Sequence, residues 1–462
     1  MFRKIQHIHL VGIGGSGMNG IAEVLLNLGY KVSGSDMNET EVIQRLRNAG
    51  GHITIGHSSS NIKGAQVVVI SSAVSAHNIE VVAARSASIP VIQRAEMLAE
   101  LMRLKYGIAI AGAHGKTTTT SMISSILASA GLDPTVVIGG KLNSLGSNAK
   151  LGQSEFLVAE ADESDGSFLK LSPTIAIVTN IDAEHLDYYH DIESIRKTFL
   201  NFINKVPFYG VSILCADDAN IRSILHAVEK RYITYGINNR ADITVADIEM
   251  MSGRSKFRVL YKGMDMGKFE LSLPGIHNIS NALSGIGVAV ELDINIDEVK
   301  KALRDFSGVE RRFQIVGTID PQDILVVDDY GHHPTEIKAT LSAAKAGWGR
   351  RTVVLFQPHR YTRTRDLMNE FAVSFGNADL LVVTDIYPAG EKPVEGVSAE
   401  KLFNTIIEHG HKNVLFLPDK KTIPEKVKEL MRQGDMVITL GAGDIWKVGR
   451  EIIENSKLKM IN

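Results

Sequence analysis

The 462-residue chain has a single cysteine, Cys215. No disulfide can form within it, and a zinc site built from several cysteines is excluded. Cys215 itself reads as a small buried apolar residue. An excess of charge of either sign is also missing: 50 Lys and Arg stand against 52 Asp and Glu, a formal net charge of −2. That balance excludes sequence-independent nucleic-acid binding driven by phosphate neutralisation. No run reaches the ~18–20 consecutive apolar residues that span a bilayer. The apolar stretch after Lys4 is short and runs into Gly12, Gly14, Gly15 and Gly17, which is not the form of a secretion signal. No tract is polar enough for a long disordered tail, and no fixed-period repeat is present. These absences lead us to expect a cytoplasmic globular protein in a reducing compartment.

What is there is a regular alternation. Short β-branched runs at residues 5–11, 66–71, 107–111, 156–160, 174–180, 324–328, 352–357, 380–385, 414–418 and 436–441 are separated by amphipathic helical stretches. Many runs are continuously apolar, as in strands covered by helices on both faces. The pattern predicts α/β domains with mostly parallel sheets. Residues 243–273 differ: apolar and polar residues alternate around a turn signal at Lys262-Gly263, which predicts an antiparallel excursion. At about 150 residues per domain the length predicts three domains. Punctuation places the boundaries near 104 and 312, giving 1–104, 105–312 and 313–462.

Two glycine-rich turns carry the first chemical signal. Gly12-Ile13-Gly14-Gly15-Ser16-Gly17 fits G-x-G-x-x-G between a strand and a helix, and Asp36 closes a second strand about 20 residues on. Helix N-terminal N–H groups there receive a pyrophosphate, and Asp36 can accept from ribose hydroxyls. Read alone, this favours NAD(P) or another nucleotide diphosphate. The second turn is Gly112-Ala113-His114-Gly115-Lys116-Thr117-Thr118. Gly-Lys-Thr supplies the essentials of a P-loop: N–H groups around phosphates, a lysine reaching the β and γ oxygens, and a threonine hydroxyl for Mg²⁺. The longer G-x-x-x-x-G-K-[ST] pattern is not met, because Ile110 stands where its first glycine belongs. This points to a subfamily with a shorter loop.

Polar clusters follow several strands, where ligands of open parallel sheets bind. Glu160-Ala161-Asp162-Glu163-Ser164-Asp165 offers carboxylates for the Mg²⁺ that a P-loop threonine also binds. His185 lies among Asp182, Glu184 and Asp187, which suits a metal or phosphate role. Asp329-Tyr330-Gly331-His332-His333-Pro334 suits carboxylate binding or proton transfer. In the run 357–365, Arg360, Arg363 and Arg365 make an anion-binding loop, since guanidinium pairs carboxylates bidentately.

These clusters, in this order, resemble the Mur ligase family, the ATP-dependent amide ligases that build the peptidoglycan stem peptide. The resemblance covers essentially the whole chain and also rests on residues 275–282, Arg311-Arg312-Phe313 and residues 441–445. It implies three α/β domains: an N-terminal Rossmann-like one, a central P-loop ATPase-like parallel sheet with the antiparallel excursion, and a C-terminal Rossmann-like one. They take a UDP-sugar, ATP and an amino acid in turn. The implied reaction joins L-alanine to the lactyl carboxylate of UDP-N-acetylmuramate through an acyl phosphate, with ATP and Mg²⁺, in a monomer or homodimer that binds neither nucleic acid nor membrane. The implied ATP site is Gly112, Ala113, His114, Gly115, Lys116, Thr117 and Thr118 with Asn278, Asn281 and Arg312. Thr117, Glu160 and His185 would hold magnesium. Gly14, Gly15, Ser16, Gly17, Asp36, Ser71, Ser72 and Tyr330 would bind substrate. Lys116, His332, Arg360 and Arg363 would be catalytic, with His332 a candidate to take the amine proton. Asn19 stands where the family pattern leads us to expect a smaller residue, which puts the local geometry of the first glycine turn in question. A recycling ligase that attaches a stem peptide to the same sugar nucleotide fits the same motifs. An NAD(P)-dependent oxidoreductase fits only the first glycine turn.

Overall fold

The computed structural model describes residues 5–71, 73–138 and 149–458, without the side chains of Ser16 and Asp187 and of residues 457 and 458. Two units are distinguished. One comprises Met1–Asp247, Phe257–Glu270 and Ser280–Ser307, the other Ile248–Lys256, Leu271–Ile279 and Gly308–Asn462.

The first unit opens with five parallel strands, β1 (His7–Val11), β2 (Lys31–Asp36), β3 (His52–Ile55), β4 (Val67–Ile70) and β5 (Val91–Gln93), in the order β3-β2-β1-β4-β5. The chain reverses its direction of travel across the sheet between β1 and β4, so a crevice opens at their carboxyl ends. All five residues of β1 are buried, as helices on both faces require.

The second sheet has ten strands. They are β6 (Tyr106–Ala111), β7 (Thr135–Val137), β8 (Ala149–Lys150), β9 (Phe156–Glu160), β10 (Ile175–Val178), β11 (Val211–Cys215), β12 (Tyr232–Tyr235), β13 (Ile243–Met251), β14 (Arg254–Tyr261) and β15 (Met264–Leu271). Their order is β15-β14-β13-β12-β11-β10-β6-β9-β7-β8. Strands β10, β6 and β9 are parallel neighbours. The predicted excursion is β13 to β15, joined by the two-residue turns Ser252-Gly253 and Lys262-Gly263. So short a connection makes adjoining strands antiparallel. Cys215 ends the fully buried β11, and burial raises its thiol pKa, as befits an apolar core residue.

The second unit is built on β16 (Gln314–Ile319), β17 (Ile324–Asp329), β18 (Thr352–Phe356), β19 (Leu380–Val383), β20 (Val414–Phe416) and β21 (Met436–Leu440), in the order β16-β17-β21-β18-β19-β20. Only β16 runs antiparallel to its neighbour. Alternate residues point to opposite faces. Val327, Val354, Phe356 and Ile438 therefore pack with Ile337 and Leu341 of the helix Pro334–Trp348. Val326, Val353, Leu355 and Val437 pack with Val427 and Ile452 of the helices Ile423–Leu430 and Trp446–Leu458. Among the described residues no helix is long and apolar enough to cross a membrane.

Candidate active site

The order β10-β6-β9 decides the chemistry of the first unit. The P-loop leaves the end of β6, and the two strands beside it end in the acidic runs at 160–165 and 180–187. Segments far apart in sequence thus meet on one edge. The helix opens at Lys116, because Gly115 takes the left-handed conformation at the N-cap (φ 83°). A Cβ on Gly115 would fall 2.7 Å from Asn281 Oδ1, so this glycine admits the buried Asn281 to the loop. The loop is pinned from β10: His114 N–H donates to Asn180 Oδ1 (2.8 Å), and Thr179 Oγ1 and Asn180 Nδ2 donate to His114 O (2.6 and 3.0 Å). The His114 ring contacts Asp182 (3.1 Å).

Lys116 Nζ donates to Gly112 O (2.5 Å), Ala113 O (3.1 Å) and Glu163 Oε1 (2.8 Å). Burial works against its charge, but Glu163, Glu184 and Asp162 hold its pKa above the usual lysine range. Burial is also the main force on Glu163; it raises the carboxyl pKa to about 7 against the pull of Lys116.

Glu160 Oε1 and Glu163 Oε2 are buried without a hydrogen-bond partner among the described residues. Donor atoms of Glu163, Glu184 and His185 all lie within 4.8 Å of one another. The Glu163 carboxylate, buried and short of a donor beside an imidazole, fits a divalent cation; Glu160 is not in that group of donor atoms. His185 has φ 57°, which aims its ring back at Glu163 (4.0 Å) and Glu184 (3.6 Å). Thr117 is half-buried in the first helical turn.

A cavity of about 360 Å³ is lined by Gly15, Gly17, Ser71, Arg94, Lys116, Glu160 and Asp162, so the first glycine turn and the P-loop face one space. Arg94 Nη2 donates to Asp162 Oδ2 there (2.9 Å). The Asp36 carboxylate accepts the N–H groups of Gly14 (2.9 Å) and Asn38 (3.3 Å), one on each oxygen, which braces the turn. Asn19 is buried and donates to Gly14 O (3.4 Å), so the larger side chain is accommodated against the turn. Ser72 and the Ser16 side chain lie outside the described residues.

In the second unit the loops after β17, β18 and β21 lie side by side, because β21 sits between the other two strands. Tyr330 receives the guanidinium groups of Arg311 and Arg312 at 4.9 and 5.3 Å from its ring centre. Arg312 Nη1 donates to Glu336 Oε1 (3.1 Å). The His332 ring meets Tyr330 O through Nδ1 (3.0 Å), with Glu336 Oε2 at 3.3 Å from the same nitrogen. Both oxygens only accept, so Nδ1 carries a proton. Burial pushes Asp329 up to about 6 against the pull of Arg312; the N–H groups of Phe313 and Gly331 donate to it.

Arg363 Nη1 donates to His359 Nδ1 (3.4 Å), and the His359 ring stacks on Tyr387 at 5.5 Å. Burial first, then His332, Arg363 and Arg360, lower His359 to about 3. Arg360 is exposed with φ 71°, an uncommon backbone for arginine that caps the following helix. Arg365 is also exposed and donates to its neighbour Asp366 (2.7 Å), so it does not join the other two arginines. Asn278 is buried, with Nδ2 donating to Pro274 O (2.7 Å).

Five residues at these sites escaped sequence reasoning: Arg94, Glu163, Glu336, His359 and Tyr387. Glu336 had a readable signal, the capping-box spacing from His333. Glu163 and His359 lay inside noted clusters without a feature to select them. Arg94 and Tyr387 had none.

Comparison with known proteins matches these observations. Family models described as "Mur ligase family, catalytic domain", "Mur ligase middle domain" and "Mur ligase, glutamate ligase domain" match residues 7–106, 110–289 and 311–443. The UDP-N-acetylmuramate–L-alanine ligase of Geotalea uraniireducens is 59% identical over 457 residues, covering 99% of each chain. The solved UDP-N-acetylmuramate–alanine ligase of Thermotoga maritima superposes with a TM-score of 0.84 at 29% identity, over 98% of this chain and 99% of that one. A murein peptide ligase from Psychrobacter arcticus reaches 0.72 at 25% identity, over 98% of both. With a short P-loop between two acidic strand ends, three family models in succession and likeness along nearly its full length, the chain belongs to the Mur ligase family.

Proposed function

We propose that this chain is an ATP-dependent ligase that joins L-alanine to the lactyl carboxylate of UDP-N-acetylmuramate, a cytoplasmic step of peptidoglycan precursor synthesis. One observation carries the reading: Lys116 stands at the end of β6 between the two acidic strand ends. The full-length likeness to a ligase of that name supports the choice of substrates. In this reading residues 1–104 take the UDP-sugar, 105–312 take ATP and 313–462 take the amino acid.

A carboxylate is a poor electrophile. Transfer of the γ-phosphoryl group of ATP to it makes an acyl phosphate, which the alanine amine attacks with loss of phosphate. Both early reactants are anions, so the N–H groups of residues 112–118 and the Lys116 ammonium must offset their repulsion. Magnesium held by Thr117, Glu160 and His185 would add positive charge at the phosphates. Asn278, Asn281 and Arg312 serve the nucleotide. Gly14, Gly15, Ser16, Gly17, Asp36, Ser71 and Ser72 serve the UDP-sugar, and Tyr330 serves the substrate in the C-terminal part. The attacking amine must lose a proton, and the His332 imidazole is the candidate to take it. Arg360 and Arg363 pair with the alanine carboxylate.

The test is phosphate release from ATP with UDP-N-acetylmuramate present and L-alanine, glycine, L-serine or a stem tripeptide as acceptor. L-Alanine is expected to give the highest kcat/KM, with no release unless sugar nucleotide and acceptor are both present. Preference for the tripeptide would assign the recycling reaction instead. Equal release without the sugar nucleotide would refute both.

A further inference from the structure

Lys116 has three N–H bonds to give, and all three are engaged within its own surroundings. Two meet the carbonyls of Gly112 and Ala113; the third meets Glu163 at 2.8 Å. A P-loop lysine works by reaching the β and γ phosphate oxygens. To do so, this ammonium must release at least one present partner, and Glu163 is the charged one.

The Glu163 carboxylate is held in place by its backbone. Glu163 O accepts from the Tyr189 hydroxyl and from Gly166 N–H (3.0 Å). The residue is 4% exposed, and its second oxygen has no hydrogen-bond partner among the described residues. A buried carboxylate that leans on one ammonium competes with any other anion for it. We propose that Glu163 is a positioning residue that competes with nucleotide phosphate for Lys116, so that the P-loop binds nucleotide tightly only once Glu163 has released the ammonium. The released carboxylate lies beside Glu184 and His185, where a divalent cation compensates it. Cation and nucleotide then favour each other's binding. Without the cation, nucleotide meets a neutralised lysine and a buried negative charge. This inference rests on the nucleotide reading of residues 112–118.

Calorimetric titration with ADP, in EDTA and separately with Mg²⁺, tests it on the full chain. Glu163→Gln is expected to tighten ADP binding in EDTA by about tenfold or more. Glu163→Asp, which keeps the charge but withdraws it from Lys116, is expected to give an intermediate gain. In a Lys116→Ala background, Glu163→Gln is expected to change affinity by less than about threefold. An unchanged or weaker affinity in Glu163→Gln overturns the proposal. So does an equal gain in the Lys116→Ala background, which would mark a general charge effect. If Glu163→Gln fails to fold by circular dichroism, Glu163→Asp carries the same comparison. Failure of the wild type to bind ADP even with Mg²⁺ would overturn the nucleotide reading and this inference together. Binding with Mg²⁺ but no coupling between Glu163 and Lys116 would overturn the inference alone.

Discussion

Replacing Gly112 by alanine should disable the P-loop without touching a charged group. Gly112 has φ 134°, a conformation almost reserved for glycine. A Cβ there would sit 2.1 Å from Thr179 Oγ1 and 3.1 Å from Asn180 N and O. The hydroxyl has little freedom to withdraw, because it donates to His114 O at 2.6 Å. The backbone strain amounts to about 1–3 kcal/mol. Loss of the Thr179–His114 hydrogen bond adds about 0.5–1.5 kcal/mol. Together the loop loses about 1.5–4.5 kcal/mol, which corresponds to roughly 10- to 1,600-fold in ADP affinity. Calorimetry with Mg²⁺ present measures this directly. Thr179→Ala alone removes the same hydrogen bond without the strain, so it should cost about two- to twelvefold, and combined with Gly112→Ala it should add little further loss, because that bond is lost only once. An affinity within about threefold of wild type in Gly112→Ala, or fully additive losses in the pair, would refute the steric argument.

Glu80 supplies a pH-dependent prediction. Burial alone would raise its carboxyl pKa, but His9 at 3.6 Å and hydrogen bonds from Ser35, Asn61 and Ser58 lower it from 4.5 to about 2. A depressed carboxylate stabilises the fold above its unfolded pKa, and that stability is lost as pH falls toward 2; about 2.5 units corresponds to roughly 3 kcal/mol. The gap in melting temperature between wild type and Glu80→Gln should therefore be large at pH 6 and shrink toward pH 3, and a pH-independent gap would contradict the assignment. Lys116→Ala and Glu160→Ala should each lower acceptor-dependent phosphate release by about 10³-fold. Near-normal turnover in either would remove that residue from its assigned role.

Much of the fold was legible in the sequence because β6, β10, β18 and β21 are buried on both faces and read as continuous apolar runs. Helix and strand ends were less so. Lys116 joins its helix because Gly115 adopts a left-handed turn, which no periodicity records. The P-loop was legible because only a few residue types allow backbone N–H groups to approach a phosphate. Glu163 was not, since four acids stand within six residues and nothing local says which one meets Lys116. The bracing of the first glycine turn by Asp36, through the N–H groups of Gly14 and Asn38, was likewise not legible.

By itself, then, the chain's sequence determined the α/β class, the phosphate-binding turns and the supply of acids, imidazoles and guanidiniums, because these depend on local pattern and residue chemistry. Tertiary structure decided which of them meet. Strand order is set by crossovers that pack helices against both sheet faces, and it places β6 between β10 and β9 and β21 between β17 and β18. That order pairs Lys116 with Glu163 across 47 residues and sets the ring of His332 against that of His359 at 5.7 Å.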